Sequence, residues 1–373
     1  MIVDDLTFEL IDPIASIDTN GTPTYALGPL GTALSSPTDS TRALSFALKK
    51  SLNPRAVIKS CEFRNLNRDI ELRGSLSCLI ENNRFLAQHG NLSIRGTGAG
   101  GLPNVGIWSF INASGLAGGL IEGVTENTQV IGNYFNGYVD LPEDDVQYTP
   151  SAKDGFVFGH SAGWLIADNV VKNFTFEGII FPGSIGDVIS SLSPSEQQRF
   201  LSIPTIIFGN KVEQDWPING GWGIRCDIGN VLIANNIIQM NAAYGSSGII
   251  RNPSGIFTRL LEAAEKSENP KIIANYVYFP LGGEGITVTA SKGHVTVKDN
   301  TVLFETLLED SGSGFTQYGI HAAYVPSGTI ANNSIILLES LTNIVASAGV
   351  GSIADLHSVG IIDQQNSYIM RTI

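Results

Sequence analysis

Ile233-Ala234-Asn235-Asn236-Ile237-Ile238 is one copy of a phrase that returns along the chain: an apolar residue, two small or polar residues, an asparagine, one free position, and a second apolar residue. Further copies are built on Asn83, Asn133, Asn169, Asn210, Asn275, Asn300 and Asn333, and a ninth carries Cys61 in the asparagine's place. A second phrase, glycine followed by isoleucine or phenylalanine, alternates with the first at Gly106-Ile107, Gly155-Phe156, Gly178-Ile179, Gly223-Ile224, Gly248-Ile249, Gly285-Ile286, Gly319-Ile320 and Gly360-Ile361. Where nothing is inserted the asparagine recurs after 22 to 26 residues (61 to 83, 210 to 236), a period that belongs to solenoids.

Each unit holds two or three strands too short to bury a face alone, so successive units must stack to make a core. Stacked turns lie about 4.8 Å apart. At that spacing, asparagine amides at one bend can donate and accept along the stack, which gives the repeated asparagine a structural task rather than a catalytic one.

The chain has 373 residues, a net charge of −13, only 15% charged residues and 41 glycines. Low charge with abundant glycine suits stacked strands joined by tight turns. An acidic surface with no compensating basic run excludes nucleic acid as a partner class. No run of 18 apolar residues exists, so no membrane span is expected. The sequence from Met1 to Asp5 has neither a basic n-region nor an apolar h-region, hence no secretory signal. The readings left open are a cytoplasmic protein, a signal removed before residue 1, or a virion component, with extracellular or virion-associated expected. Cys61, Cys78 and Cys226 lie in strand phrases without metal-ligand spacing and read as buried reduced thiols. Glu143, Asp144 and Asp145 lack the ligand spacing of a calcium loop. No cofactor or metal is implied.

Organisation follows from the same phrases. Residues 1–55 read as short strands followed by a capping helix, with Thr38-Asp39 as cap, Leu44, Ala47, Leu48 and Leu52 at helical spacing, and Pro54 as stop. Residues 56–373 read as the solenoid, with insertions at about 137–153, 184–204, 252–270, 304–317 and 338–357. Two of these are expected to be helical. Ser193-Pro194-Ser195-Glu196 is a capping box with proline at the first helical position; the second spans Ile256 to Lys266. Between Asn83 and Asn133 one expected asparagine is missing, so the stretch holds either a turn without its signature or an inserted hairpin.

The alternation of asparagine bends and Gly-Ile strands resembles the right-handed parallel β-helix of the pectin lyase-like superfamily, over about residues 56 to 365. The resemblance implies an all-β, single-stranded parallel β-helix. It implies carbohydrate-directed function only broadly, since the superfamily spans polysaccharide lyases, glycoside hydrolases, epimerases, fructotransferases, tailspikes and adhesins. Its motif sets do not carry over: the polygalacturonase set is absent, Gly159-His160 continues into Ser161, and the Asp-Pro-His-Asp of mannuronan epimerases is missing.

Residues at equivalent places of adjacent turns form columns, so chemistry is sought by aligning the Gly-Ile phrases. The residue before glycine reads Asp154, Glu177, Trp222, Ser247, Glu284 and Tyr318. Asp154 and Glu177 are thus one turn apart, and a carboxyl separation of roughly 5 Å suits the nucleophile and acid of a retaining glycoside hydrolase or transglycosylase. This requires a bend at glycine, because in an unbroken strand the residue before it would point with the buried isoleucine. Arg225 and Asp227 share one face of the next strand and serve as sugar-binding groups or as a plain ion pair. His160, Asp215, Trp216 and Trp222 complete the expected polysaccharide or oligosaccharide site, with Trp164 and Tyr318 as further stacking aromatics. The competing reading is a non-catalytic structural or receptor-binding spike, as a homotrimer.

Overall fold

The computed structural model describes residues 2–9, 14–17, 23–25, 42–47, 56–64, 68–73, 77–86, 104–109, 125–137, 153–158, 161–174, 177–181, 194–195, 203–214, 221–227, 230–241, 243–244, 250–251, 253–259, 269–289, 293–306, 318–323, 325, 327–338 and 361–363. Most of them form three parallel sheets of ten strands each, beside three two-stranded sheets. One complete turn is Val231–Ala234 in the first sheet, Ile237–Met240 in the second and Pro253–Arg259 in the third. Every turn repeats that order, which defines a right-handed parallel β-helix of ten turns.

Each sheet sends one apolar column inward. Ile58, Ile80, Val130, Ile166, Ile207, Ile233, Ile272 and Val297 come from the first sheet, and Phe63, Phe85, Phe135, Val171, Val212, Ile238, Val277 and Val302 from the second. The third contributes Phe156, Ile179, Ile224, Ile256, Ile286 and Ile320, and all three columns are fully buried. Near the N-terminal end the second column is aromatic, with Phe8, Phe63 and Phe85 stacked at centroid spacings of 5.1 and 5.0 Å.

The first and second sheets meet at the asparagine bend. Asn210 Nδ2 donates to Asn236 Oδ1 (2.9 Å) and to the Ile166 carbonyl of the preceding turn (2.9 Å). Its Oδ1 accepts from both the backbone N–H and the side chain of Asn169. The same arrangement runs from Asn83 to Asn333 and starts with the Cys61 backbone N–H donating to Asn83 Oδ1. The residue before each column position is left-handed, with φ from 53° to 67°, which is why Ser60, Asn82, Gly132, Asp168, Gly209, Asn235, Asp299 and Asn332 are small or polar. Ala274 is the exception in that series.

Three expectations are corrected. Arg42–Ala47 is a strand, not part of a helix; Leu44 and Phe46 pair with Ile70 and Leu72, so the alternating apolar pattern prevailed over the helical one. The rest of that expected helix lies outside the described residues. Ile2–Asp4 and Thr7–Glu9 pair with the strands of the next turn, so the stretch expected as a separate cap supplies the first strand of each sheet. The choice left open between Asn83 and Asn133 is settled in part: Asn83 bonds Asn133 directly, so they lie on adjacent turns and no turn is missing between them.

The seventh turn's Gly-Ile phrase is Gly255-Ile256, not Gly248-Ile249. Ile256 pairs with Ile224 and Ile286, which makes Ile256–Arg259 strand rather than helix and puts Ser254, not Ser247, before the glycine. Ile250 and Arg251 instead pair antiparallel with Tyr244 and Ala243. Of the other helical insertion, Pro194 and Ser195 are helical. Cys61, Cys78 and Cys226 are buried thiols outside any disulfide, and burial pushes the Cys226 thiol well up. Glu143, Asp144 and Asp145 lie outside the described residues.

Candidate functional site

The outer face of the third sheet is shaped by its glycines. An added Cβ at Gly178 would meet the Gly223 carbonyl at 2.6 Å, and one at Gly285 would meet the Gly319 carbonyl at 2.2 Å. Backbones this close leave room for no side chain. The strand alternation breaks at the same place. Arg225 lies over the Trp222 ring, 4.4 Å from its centroid, and Tyr318 contacts His321 at 4.6 Å between centroids. Residues three apart point to opposite faces of a regular strand, so these contacts show that the residue before glycine is turned outward. That is the bend which the carboxylate-pair reading required.

Two outward columns result. The residues before glycine run Glu177, Trp222, Ser254, Glu284 and Tyr318 in direct register, and the residues two past it run Ile180, Arg225, Phe257, Thr287 and His321. Asp154 lies in the strand Lys153–Phe158, whose Phe156 pairs with Ile179, so its backbone is level with that of Glu177 one strand away. His160, Asp215 and Trp216 lie outside the described residues.

Around Arg225 the geometry is tight. Asp227 is 4% exposed and receives Arg225 Nη2 at 2.6 Å and Nε at 3.1 Å on Oδ2. Arg225 Nη1 is 3.8 Å from Glu177 Oε1. Trp222 faces Phe257 at 6.0 Å, and Arg225 is 5.9 Å from the Phe257 ring. The guanidinium is thus held in plane by one carboxylate, faces a second, and lies on an aromatic ring, an arrangement Arg supports and Lys does not. The Arg225–Asp227 ion pair expected on the surface is therefore present, with its acid buried.

Two strands beyond Trp222 is a second polar group, Glu284 with Tyr318, which pairing of carboxylates alone does not reveal. Burial pushes the Glu284 carboxyl up, with a side-chain hydrogen bond from Tyr318 offsetting part of the effect. Burial and the neighbouring Glu284 push the Tyr318 phenol up as well. The signal was present in the column itself, where Glu284 and Tyr318 occupy the position that singled out Glu177. Trp164 is not a stacking platform. It is 1% exposed and packs on Phe158 at 4.3 Å in the core.

On the second sheet, Glu213 is held between Lys172 (2.6 Å) and Lys211. Burial raises its pKa, but the two lysines outweigh this and lower it overall. This is a closed ion-pair cluster. Among the described residues no group of histidine, cysteine and acidic side chains has the geometry of a metal site, and no helix is long and apolar enough to cross a membrane.

These ladders define the class of the protein: a right-handed parallel β-helix bearing a strip of acidic, aromatic and cationic side chains across adjacent turns of one sheet. No family model matches the chain. No curated protein matches it either. Among solved structures, a double mutant of the periplasmic alginate epimerase AlgG is similar at 12% identity and a TM-score of 0.34, over 80% of this chain and 74% of that one. Similarity of that degree carries no argument about activity, and the fold stands on the strand registers.

Proposed function

We propose that this chain is a carbohydrate-directed β-helix protein of the pectin lyase-like type that cleaves or transfers glycosidic bonds with Glu177 and Asp154. The observation that carries the reading is Glu177 on the outer face, 3.8 Å from the Arg225 guanidinium, one strand from the Trp222 ring and level in register with Asp154.

A guanidinium beside a carboxylate favours its ionised form, so Glu177 is the nucleophile and Asp154 the acid that protonates the leaving oxygen. Water then releases the glycosyl-enzyme with Asp154 acting as base; a sugar hydroxyl in the water's place gives transfer. Trp222 offers an apolar face to the flat side of a sugar ring. Arg225, kept in place by Asp227, orients sugar hydroxyls. His160, Asp215 and Trp216 remain part of this proposed site.

A broad glycan panel assayed for new reducing ends tests the reading. Asp154→Asn and Glu177→Gln should each lower turnover by at least about a hundredfold; turnover unchanged in the double variant sinks it. A second reading, a non-catalytic spike assembled as a homotrimer, is favoured by Ile336 and Leu338, large apolar residues exposed on the tenth turn. Mass measurement of a stable trimer, with no reducing ends released from any glycan, would select it.

A further inference from the structure

The outer columns of the third sheet gather acidic, aromatic and hydroxyl side chains on adjacent strands. Resting on the functional reading above, we propose that the strip extends from Glu177 to Tyr318 as one binding site for an uncharged glycan chain. Trp222 and Phe257 form its stacking middle, and Ser254, Glu284, Tyr318 and His321 form a remote hydroxyl-binding end.

Three observations converge. First, the register runs Glu177, Trp222, Ser254, Glu284, Tyr318 without a break, so four strand spacings of about 4.8 Å carry the strip over roughly 19 Å. That is long enough for a short oligosaccharide laid across the turns. Second, Ser254 lies between the aromatic middle and Glu284, is 3% exposed, and its Oγ has no hydrogen-bond partner among the described residues. A buried hydroxyl in this state calls for a partner, and a sugar hydroxyl, both donor and acceptor, supplies one. Third, Tyr318, 7% exposed and packed on the His321 ring, brings polar edges with His321 beside Glu284, groups able to meet sugar hydroxyls.

The charge distribution selects the substrate class. Among the described side chains of this face the cation is Arg225, and both Asp227 oxygens already engage it while Glu177 faces it. A uronate carboxylate would therefore meet Glu177 and Asp227 around a cation that these two acids already balance, on a chain of net charge −13. Neutral hydroxyls avoid that repulsion. Burial pushes the Glu284 carboxyl up, and its oxygens can accept from sugar hydroxyls at the same end.

Calorimetric titration of the full chain with neutral gluco-, xylo- and manno-oligosaccharides of three and six residues, and with oligouronates of the same lengths, tests the proposal. The expected result is tighter binding of a neutral series, with the six-residue member favoured. Trp222→Ala should weaken both lengths by at least about tenfold. Glu284→Ala should weaken the six-residue ligand by at least about fivefold and leave the three-residue ligand within about twofold, and Glu284→Gln, which keeps the side chain's size and one accepting oxygen, should restore binding. A melting curve on each variant separates lost binding from lost folding.

Oligouronates binding more tightly than every neutral series would overturn the inference. So would a Glu284→Ala variant that melts like the parent and binds six-residue ligands equally well. In either case turnover that depends on Asp154 and Glu177 would leave the functional reading standing. No binding of any glycan would remove both.

Discussion

The asparagine bend and the outer face of the third sheet are both columns of residues stacked turn on turn, yet they are built on opposite plans. At the bend one residue type repeats from Asn83 to Asn333, is buried as far as Asn300, and bonds along the column to the next copy. On the outer face every turn differs: Glu177, Trp222, Ser254, Glu284 and Tyr318 hold one position in five strands. In a solenoid, sameness down a column reports what each turn needs from its neighbour. Difference down a column at a partly buried outward position reports what the rod presents to something else.

The sharpest way to break this comparison is at the bend. Asn210→Ala removes two bonds donated by its amide and two accepted by it, and leaves the Asn169 backbone N–H and one of its two Nδ2 hydrogens without an acceptor. At about 1 kcal/mol net per bond the expected loss is about 4 kcal/mol in urea denaturation. A loss under 1 kcal/mol would mean that the column is decoration.

Next in size is the outer face. Arg225→Met leaves Asp227 as a buried carboxylate without its partner and should cost about 3 kcal/mol, most of it recovered when Asp227→Leu is added. Equal losses in the single and double variants would show that the pair is held by packing rather than by charge.

Glu284 separates the two plans by pH. Its folded carboxyl holds a proton more tightly than it does in the unfolded chain. Through this group the native state is therefore favoured below the ordinary value of 4.5 and loses that advantage as pH rises through the raised value. Glu284→Gln should match the parent's stability at pH 4 and exceed it at pH 8. Identical pH profiles would remove the buried-acid description.

The smallest effect belongs to the left-handed position before the asparagine. Ala274 has φ of 55° where its counterparts are mostly glycine, asparagine or aspartate. Ala274→Gly should raise stability by about 1 kcal/mol, read as a shift in the denaturation midpoint. A decrease would show that the methyl group's contacts outweigh its strain.

Sequence alone determined the repeat, and with it the fold. A column whose members must bond to each other forces the same residue into every turn, and such repetition is legible without coordinates, as the phrases from Asn83 to Asn333 show. It also picked out Glu177, Trp222, Arg225 and Asp227, because equal spacing from a glycine becomes equal height on a strand. Only the tertiary structure decided which of two competing local patterns prevailed. Leu44 and Phe46 satisfy a helix or a strand until Ile70 and Leu72 are beside them, and Gly255-Ile256 displaces Gly248-Ile249 through its register with both neighbouring turns. It also decided which way the residue before each glycine points, because that direction depends on neighbouring backbones pressed together at 2.2 to 2.8 Å from where a Cβ would be. Such a distance between turns is a property of the stack that no single turn's sequence encodes.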